Sequence, residues 1–497
     1  MIKINANQVV KKQENFWNHI LFHPTDAIED DWGRKILDEI SKDKAAKMVR
    51  IYNMFEDIVS VGENGEFCYD YSLNDLRIEY LLEKGFTPMI AYGCVPPFMA
   101  VDPEENSSVS HNKTRYKGKM WTTSQPKDYK LWEEICYQYT KHIVERYGEE
   151  EVSKWRIHCL NEPDVANFFM RDASVDERCT EYCKLYDGFE KGVLRATDKI
   201  KIGGPAWAFY YEFMEGFLKF LKMENKKIDY ICFHNYGTDP PSIQSGERPI
   251  CVENQFTNFE KMRDLVEKYF PEGIELIQDE WGMGTGGFLN IERHPYYITR
   301  EHEVFSAYYG QMLTKYAKEY TNLGVQMICL SGQHEMTTEF EGFRNFFSLN
   351  FIKKPIYNAY VLGAKLKENI LADEIDGEYV TSLATKDDNG DLAILINYAE
   401  KYFDENLPDV TIPVKISGLD GKKKISVWKI DKDNTNPYRV FIKENMDEKL
   451  NEEQIAYLRD VATLKPETFA LEANGELELE ISTTANGTVL VQVEDEV

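Results

Sequence analysis

Cysteine is scarce in this chain and poorly placed for structural work: 9 thiols in 497 residues, an odd number, with no CxxC pair. Disulfide scaffolds and zinc ribbons need paired or closely spaced ligands, so both are excluded. Cys179 and Cys183 sit one helical turn apart without a second ligand pair, and no metal site is expected. Cys94, Cys159, Cys232 and Cys329 fall in predicted core strands, where a reduced thiol behaves as a small apolar group. Positive charge is also short, with 58 Lys and Arg against 85 Asp and Glu and a formal net charge of −27. A nucleic-acid partner or an anionic membrane would require a basic surface, so neither is expected. The acidity reads as a solvated surface. No apolar run is long enough to span a bilayer. Met1-Ile2-Lys3-Ile4-Asn5-Ala6-Asn7-Gln8 lacks the basic and apolar regions of a secretory signal, and a cytoplasmic location is the expectation. No solenoid repeat occurs.

Apolar residues make up 43% of the chain and there are 30 tyrosines, ample for burial. At this length one core is too few, and two or more domains are expected. From about residue 16 to 335, short apolar runs alternate with amphipathic segments, the pattern of repeated βα units. The runs are Phe16–His23, Met48–Phe55, Thr87–Val95, Trp155–Pro163, Lys199–Trp207, Asp229–Gly237, Ile274–Gly282 and Gln326–Glu335. Eight is the number that closes an α/β barrel. Helical stripes lie between them at Asp128–Tyr147, Tyr182–Ala196, Phe209–Met223, Phe256–Tyr269 and Glu303–Tyr320. The insertions Pro96–Ser124 and Gly284–Arg300 leave from the carboxyl face, where long loops wall substrate sites.

Beyond about Ile375 the period changes to two. Tyr379–Ala384, Leu392–Asn397, Val410–Ile416, Ile425–Ile430, Thr468–Leu471, Glu476–Ile481 and Thr488–Val493 read as strands of a β-sandwich, interrupted by a helix-like Asp447–Leu458. The expected organisation is an amino-terminal strand, residues 1–15, joining the sandwich at its edge; a (β/α)8 barrel, residues 16–370; and the β-sandwich, residues 371–497.

Two runs end in an acid and then break. Trp155-Arg156-Ile157-His158-Cys159-Leu160-Asn161-Glu162 stops at Pro163, and Ile274-Glu275-Leu276-Ile277-Gln278-Asp279-Glu280 stops after Trp281 at Gly282. Strand alternation would put Ile157, Cys159 and Asn161 on one side and His158, Leu160 and Glu162 on the other. Carboxylates at the tips of strands four and seven suit glycosidic cleavage: one must carry a proton for the leaving oxygen, and the other must stay ionised at the anomeric carbon. In a retaining pair they should lie ~5–5.5 Å apart. Asn161 could reach a sugar hydroxyl. Arg50 would be buried beside Glu280 and keep it ionised. Tyr236 could hydrogen-bond the same carboxylate, and Trp207 could offer an aromatic face to a sugar ring.

Further motifs carry a resemblance. Pro126-Lys127-Asp128-Tyr129, Trp132-Glu133-Glu134, Ile143-Val144-Glu145-Arg146-Tyr147-Gly148, Asn161-Glu162-Pro163, Gly203-Gly204-Pro205-Ala206 and Phe233-His234-Asn235-Tyr236-Gly237-Thr238 together resemble glycoside hydrolase family 39, the β-xylosidases and α-L-iduronidases. Ile352-Lys353-Lys354-Pro355-Ile356-Tyr357-Asn358-Ala359-Tyr360 resembles that family's closing segment. The resemblance implies Glu162 as acid/base and Glu280 as nucleophile of a retaining mechanism, His234 in the glycon subsite, and no cofactor or metal. It implies an oligosaccharide or glycoside substrate and leaves open a homo-oligomer. Departures fall in the sugar-reading pocket: Tyr52 stands where β-xylosidases have histidine, Trp281-Gly282-Met283-Gly284-Thr285-Gly286-Gly287 follows the nucleophile, and strand eight ends Ser331-Gly332-Gln333-His334-Glu335 without a tryptophan. Tyr52, Trp281 and His334 are accordingly candidate glycon contacts, and arabinose, glucose, galactose or a uronic acid stand beside xylose. Two rivals remain: a carbohydrate-binding barrel without catalysis, and a metal-dependent hydrolase using His158, Glu162, His234 and Glu280.

Overall fold

In the computed structural model, which describes residues 1–22, 28–107, 121–238, 250–287 and 289–496, the eight apolar runs all become strands. His19–Phe22, Met48–Asn53, Thr87–Tyr92, Arg156–Cys159, Lys201–Trp207, Tyr230–Tyr236, Glu275–Gly282 and Leu323–Leu330 close into a barrel. Each strand runs parallel to the next, and the eighth pairs with the first. Strands covered on both faces have no solvent side, which is why they read as continuous apolar runs. His23 and residues 108–120 of the Pro96–Ser124 insertion lie outside the described residues, as does Phe288.

The barrel interior is layered. Met48, Met89, Tyr230, Cys232, Ile277, Val325 and Met327 fill its lower part. Between barrel and helices lies the larger core, holding Trp17, Trp132, Trp155 and Trp281. Helix Tyr129–Tyr147 begins as expected, its Asp128 side chain accepting from the Lys130 amide. Its neighbour starts earlier than expected, at Val175, because Ser174 and Glu177 form a capping box. Helices Asp31–Asp43 and Ser72–Glu83 complete the early βα units.

The carboxyl-terminal strands form one continuous sheet folded over itself. Its order is Ile2–Lys12, Asn369–Ile375, Val380–Lys386, Leu392–Tyr398, Gly487–Asp495, Val410–Ile430 and Glu467–Thr483. Two expected strand pairs are merged: Val410–Ile416 and Ile425–Ile430 are halves of a 21-residue strand, and Thr468–Leu471 and Glu476–Ile481 lie within one of 17 residues. A register slip between Ser417 and Asp420, flanked by Gly418 and Gly421 at positive φ, bends this hairpin instead of ending it. The first half of the bent strand pairs, through Val414–Ser417, with Ile2–Asn5 of the amino-terminal strand, and the second half pairs with Gly487–Asp495. The amino-terminal strand therefore has neighbours on both sides and is not the expected edge. In place of one helix at Asp447–Leu458 there are two, Pro437–Lys443 and Glu452–Val461. Among the described residues no helix is long and apolar enough to cross a membrane.

Helices Tyr129–Tyr147 and Val175–Ala196 meet at Gly192, where a Cβ would lie 2.4 Å from the Glu133 carbonyl oxygen and 2.9 Å from the Tyr137 amide. Backbone on the far side cannot yield as a flexible side chain would. Gly192→Ala should destabilise the fold by about 1–3 kcal/mol, read as a lower urea midpoint.

Candidate active site

The fourth strand ends at Cys159, and the chain then enters the left-handed region at Leu160 (φ 56°) and Glu162 (φ 47°). Such conformations cost roughly 1–3 kcal/mol each in a residue with a side chain. Their effect is geometric. Leu160 joins the outer core, whereas Asn161 and Glu162 both line the cavity. The expected alternation fails here, and Asn161 lies on the same side as the acid. The Glu162 amide donates to the Ala206 carbonyl at 3.0 Å, tying this tip to strand five.

Strand seven is irregular too. Its register against strand six slips between Gln278 and Glu280. Gln278 faces outward, donating to the Tyr316 hydroxyl at 2.8 Å, whereas Asp279 and Glu280 both face Arg50 in the interior. Trp281 then faces outward, fully buried among Phe305, Tyr308, Tyr309 and Tyr360, its indole N–H donating to the Tyr360 hydroxyl at 3.1 Å. It is a core residue and not a sugar contact. His334 is a second correction. Gly332 (φ 85°) turns the chain after strand eight into a short helical turn, and His334 does not line the cavity.

Arg50 lies fully buried beneath the two tips. Its Nη1 donates to Glu280 Oε1 at 3.0 Å, Nη2 to Asn161 Oδ1 at 2.6 Å, and Nε to His158 Nε2 at 3.0 Å. As a buried support of these groups it does not itself line the cavity, so its expected place among substrate contacts is corrected. The Tyr52 hydroxyl lies 3.1 Å from Glu280 Oε1 and 3.0 Å from Asn161 Oδ1, and Tyr236 donates to Glu280 Oε2 at 2.7 Å. With Asn161 Oδ1 so occupied, its amide Nδ2 is the atom left to address a ligand. His234 Nδ1 is 2.6 Å from Glu162 Oε1 and 3.6 Å from Glu280 Oε2. One carboxylate oxygen of Glu162 and one of Glu280 lie within 4.8 Å of each other.

The two acids differ in surroundings. Burial raises the Glu162 carboxyl, and the nearby Glu280 and Asp164 charges add to it against the opposing His234. Burial alone would raise Glu280 as well, but the His234, Arg50 and Arg344 charges and the Tyr236 hydroxyl outweigh it and hold Glu280 well below the usual range. His158 is held down to about 3 by burial and by Arg50, so it accepts the arginine N–H as a neutral ring.

The cavity above has a volume of about 610 Å3, within the usual span for small-ligand sites. Glu162, Glu280, Asn161, Tyr52, His234, Tyr236 and Trp207 line it, as does Trp121 from the first insertion. Trp207 spends its N–H on the Tyr210 carbonyl at 2.6 Å. Asp164, fully buried, accepts the backbone amides of Ala208, Phe209 and Tyr210 at 3.0, 2.6 and 2.9 Å, fixing an aromatic wall next to Glu162. The sequence reading missed Arg344. It is 3% exposed, donates to the Cys329 and Gly284 carbonyls at 2.6 and 3.2 Å, and lies over the Tyr236 ring. Its signal was a lone charge in the apolar run Phe343-Arg344-Asn345-Phe346-Phe347. The four-residue metal set is divided between levels: Glu162, His234 and Glu280 converge, but His158 groups with Cys232 and Asp279 below. A cation at the upper group would face Arg50, already bound to Glu280, and Arg344.

A parallel barrel with two glutamates converging at the tips of strands four and seven defines a barrel glycosidase. A model of the family described as "Glycosyl hydrolases family 39" matches residues 1–478. The chain belongs to that family and is a glycoside hydrolase, which sets aside the reading without catalysis. It is 25% identical over 522 residues to a beta-xylosidase of Caldicellulosiruptor saccharolyticus, covering 99% of this chain and 98% of that one. It is 22% identical over 207 residues to the alpha-L-iduronidase of Homo sapiens, covering 39% and 28%. Its fold matches a monomeric beta-xylosidase from Caulobacter crescentus CB15 with a TM-score of 0.84 at 21% identity, covering 100% of this chain and 99% of that one. The corresponding values for a GH39 enzyme from Xanthomonas axonopodis pv. citri are 0.83 and 18%, covering 100% and 97%.

Tyr236→Phe removes one donor from Glu280 and should raise that carboxyl by about one to two pH units, since hydrogen bonds to charged groups are worth about 1.5–3 kcal/mol. The acid limb of the kcat/KM profile should move to higher pH accordingly.

Proposed function

We propose that the chain is a retaining, β-xylosidase-like glycosidase in which Glu162 is the acid/base and Glu280 the nucleophile. The approach of one oxygen of each to within 4.8 Å carries this reading. An inverting pair must leave room for a water between carboxyl groups roughly 6.5–9.5 Å apart. Ionised Glu280 attacks the anomeric carbon while Glu162 gives its proton to the departing glycosidic oxygen. A covalent glycosyl-enzyme results. Glu162, now a carboxylate, takes a proton from water, which attacks the same carbon and frees Glu280. The opposite shifts of the two acids suit these roles. The aromatic wall held by Asp164 stands beside Glu162, where the leaving group must lie.

Xylose as the glycon is supported by the full-length beta-xylosidase relative. Replacing Glu162 or Glu280 by alanine should abolish hydrolysis of unactivated xylosides. Proton NMR of the first product should show the anomer of the substrate, and an inverted first product would contradict the pairing.

A second reading, an anionic glycon such as a uronic acid, is favoured by Arg344. Its Nη2 lies 2.8 Å from where a Cβ on Gly287 would be, so the glycine leaves the guanidinium's approach open. A partial match to alpha-L-iduronidase agrees with it. Under this reading Arg344→Gln should cut kcat/KM for a nitrophenyl uronide about 10- to 100-fold more than for the xyloside. Equal losses on both would leave xylose as the glycon.

A further inference from the structure

Asp279 takes no part in the chemistry above. Its side chain is fully buried one layer beneath the cavity and does not line it. From strand two Arg50 Nη2 approaches to 3.3 Å, from strand six His234 Nε2 to 3.7 Å, and from strand four His158 Nε2 to 3.9 Å. Cys232 and Tyr230, also on strand six, face it as well, and Glu280 follows it on its own strand. These separations exceed ordinary N–H···O lengths, so Asp279 acts here mainly as a charge. A buried carboxylate is expensive unless something uses it.

His234 stands between two carboxylates. One ring edge, Nδ1, meets Glu162 Oε1 at 2.6 Å, and the other, Nε2, faces Asp279 Oδ1. The fixed charges of Arg50 and Arg344 offset those of Asp279 and Glu280, so a single proton between Glu162 and His234 would leave this buried group neutral.

We propose that Asp279 is a positioning residue for the acid step: by facing His234 Nε2 it keeps a proton on that nitrogen and makes Nδ1 the site that holds the proton Glu162 delivers. This rests on Glu162 being the acid/base. The transfers balance. His234, protonated on both nitrogens, passes the Nδ1 proton to Glu162 and is left neutral with Nε2–H towards Asp279. Glu162 passes that proton to the glycosidic oxygen as the bond to the anomeric carbon breaks. In the second half, the proton of the attacking water returns to Glu162 and from there to Nδ1. One water is consumed per turnover, and the proton of the pair is restored. Burial alone would favour the neutral ring, yet the charges of Glu280 and Asp279 and the hydrogen bond with Glu162 push His234 up to about 10, in keeping with a proton retained by the pair.

Asp279→Asn keeps the shape and removes the charge, so the pair should lose its proton at lower pH. With an alkyl or sugar aglycon, which must be protonated to leave, the alkaline limb of kcat/KM should fall by one pH unit or more while KM stays within about twofold. With a 2,4-dinitrophenyl glycoside, which leaves unprotonated, the limb should stay where it is. A uniform loss with an unmoved limb, or the same displacement on both substrates, overturns the proposal. Should the variant fail to fold, the wild-type enzyme provides the test. Nitrogen-15 NMR, with His234 assigned by its loss in His234→Gln, should show Nε2 protonated throughout the active pH range, and an unprotonated Nε2 overturns the assignment. Failure of the underlying reading is separately visible, as full turnover of the alkyl glycoside by Glu162→Ala.

Discussion

One buried guanidinium holds the site together. Arg50 reaches Glu280, Asn161, His158 and Asp279 from strand two, and so fixes groups from strands four and seven against each other. A guanidinium has donors in a rigid fork and cannot shed its charge, so every one of these acceptors must be brought to it. The backbone irregularities of the barrel follow from that demand. Regular alternation would present only one of Asn161 and Glu162, and only one of Asp279 and Glu280, to the interior. The left-handed residues at Leu160 and Glu162 and the slip at Gln278–Glu280 supply both. Their strain is set against a network in which loss of one partner would strand the others as unpaired buried charges.

The carboxyl-terminal sheet bears on this site through the helix Glu303–Glu319, which also packs the outer face of strand seven. Phe305, Tyr308 and Tyr309 on that helix enclose Trp281. Gly310 on the same helix fits against Asn397, and the Gln311 amide donates to the Ala399 carbonyl at 2.5 Å. At the helix start Glu303 accepts from Asn436 at 2.7 Å and from Arg439 Nε at 3.0 Å. The sheet is thus a brace behind the strand that carries Glu280, one packed layer removed from it.

Much of the barrel was legible because buried parallel strands are written as apolar runs stopped by proline or glycine, and eight such runs became eight strands. Glu162 and Glu280 were legible for the same reason, standing where runs stop. What sequence could not supply was side-chain direction past an irregularity. Trp281 looked like a sugar contact because it follows Glu280, but the slip one residue earlier turns it outward. Asn161 was assigned the opposite pleat because nothing in Leu160 announces positive φ. His334 closes a run whose last turn bends away at Gly332. Arg344 lies well beyond strand eight and enters the cavity only through the return of its loop. In the folded sheet, Gly418, Gly421 and Gly475 have positive φ, as turn glycines do, and only the pairing partners decide that they bend strands instead.

The balance of charge in this interior has a consequence for the reaction. In the protonation proposed for this site, Arg50 and Arg344 offset Asp279 and Glu280, and Glu162 with His234 carries one proton between two groups. Before reaction the assembly is close to neutral, which is what a buried site can tolerate. Under the proposed roles, Glu162 gives up its proton before the bond from Glu280 to the anomeric carbon is complete, so the assembly carries one extra negative charge while the sugar ring is positive and loses it as that bond forms. The stabilising field therefore grows with the transition state instead of preceding it, and little of it is spent on binding the neutral substrate. A site with Glu280 ionised but no offsetting cations would bind positive charge just as well in the ground state, and would attract cations in place of sugars. Two guanidiniums around one nucleophile are, on this argument, what reserves the electrostatic gain for the step that breaks the bond.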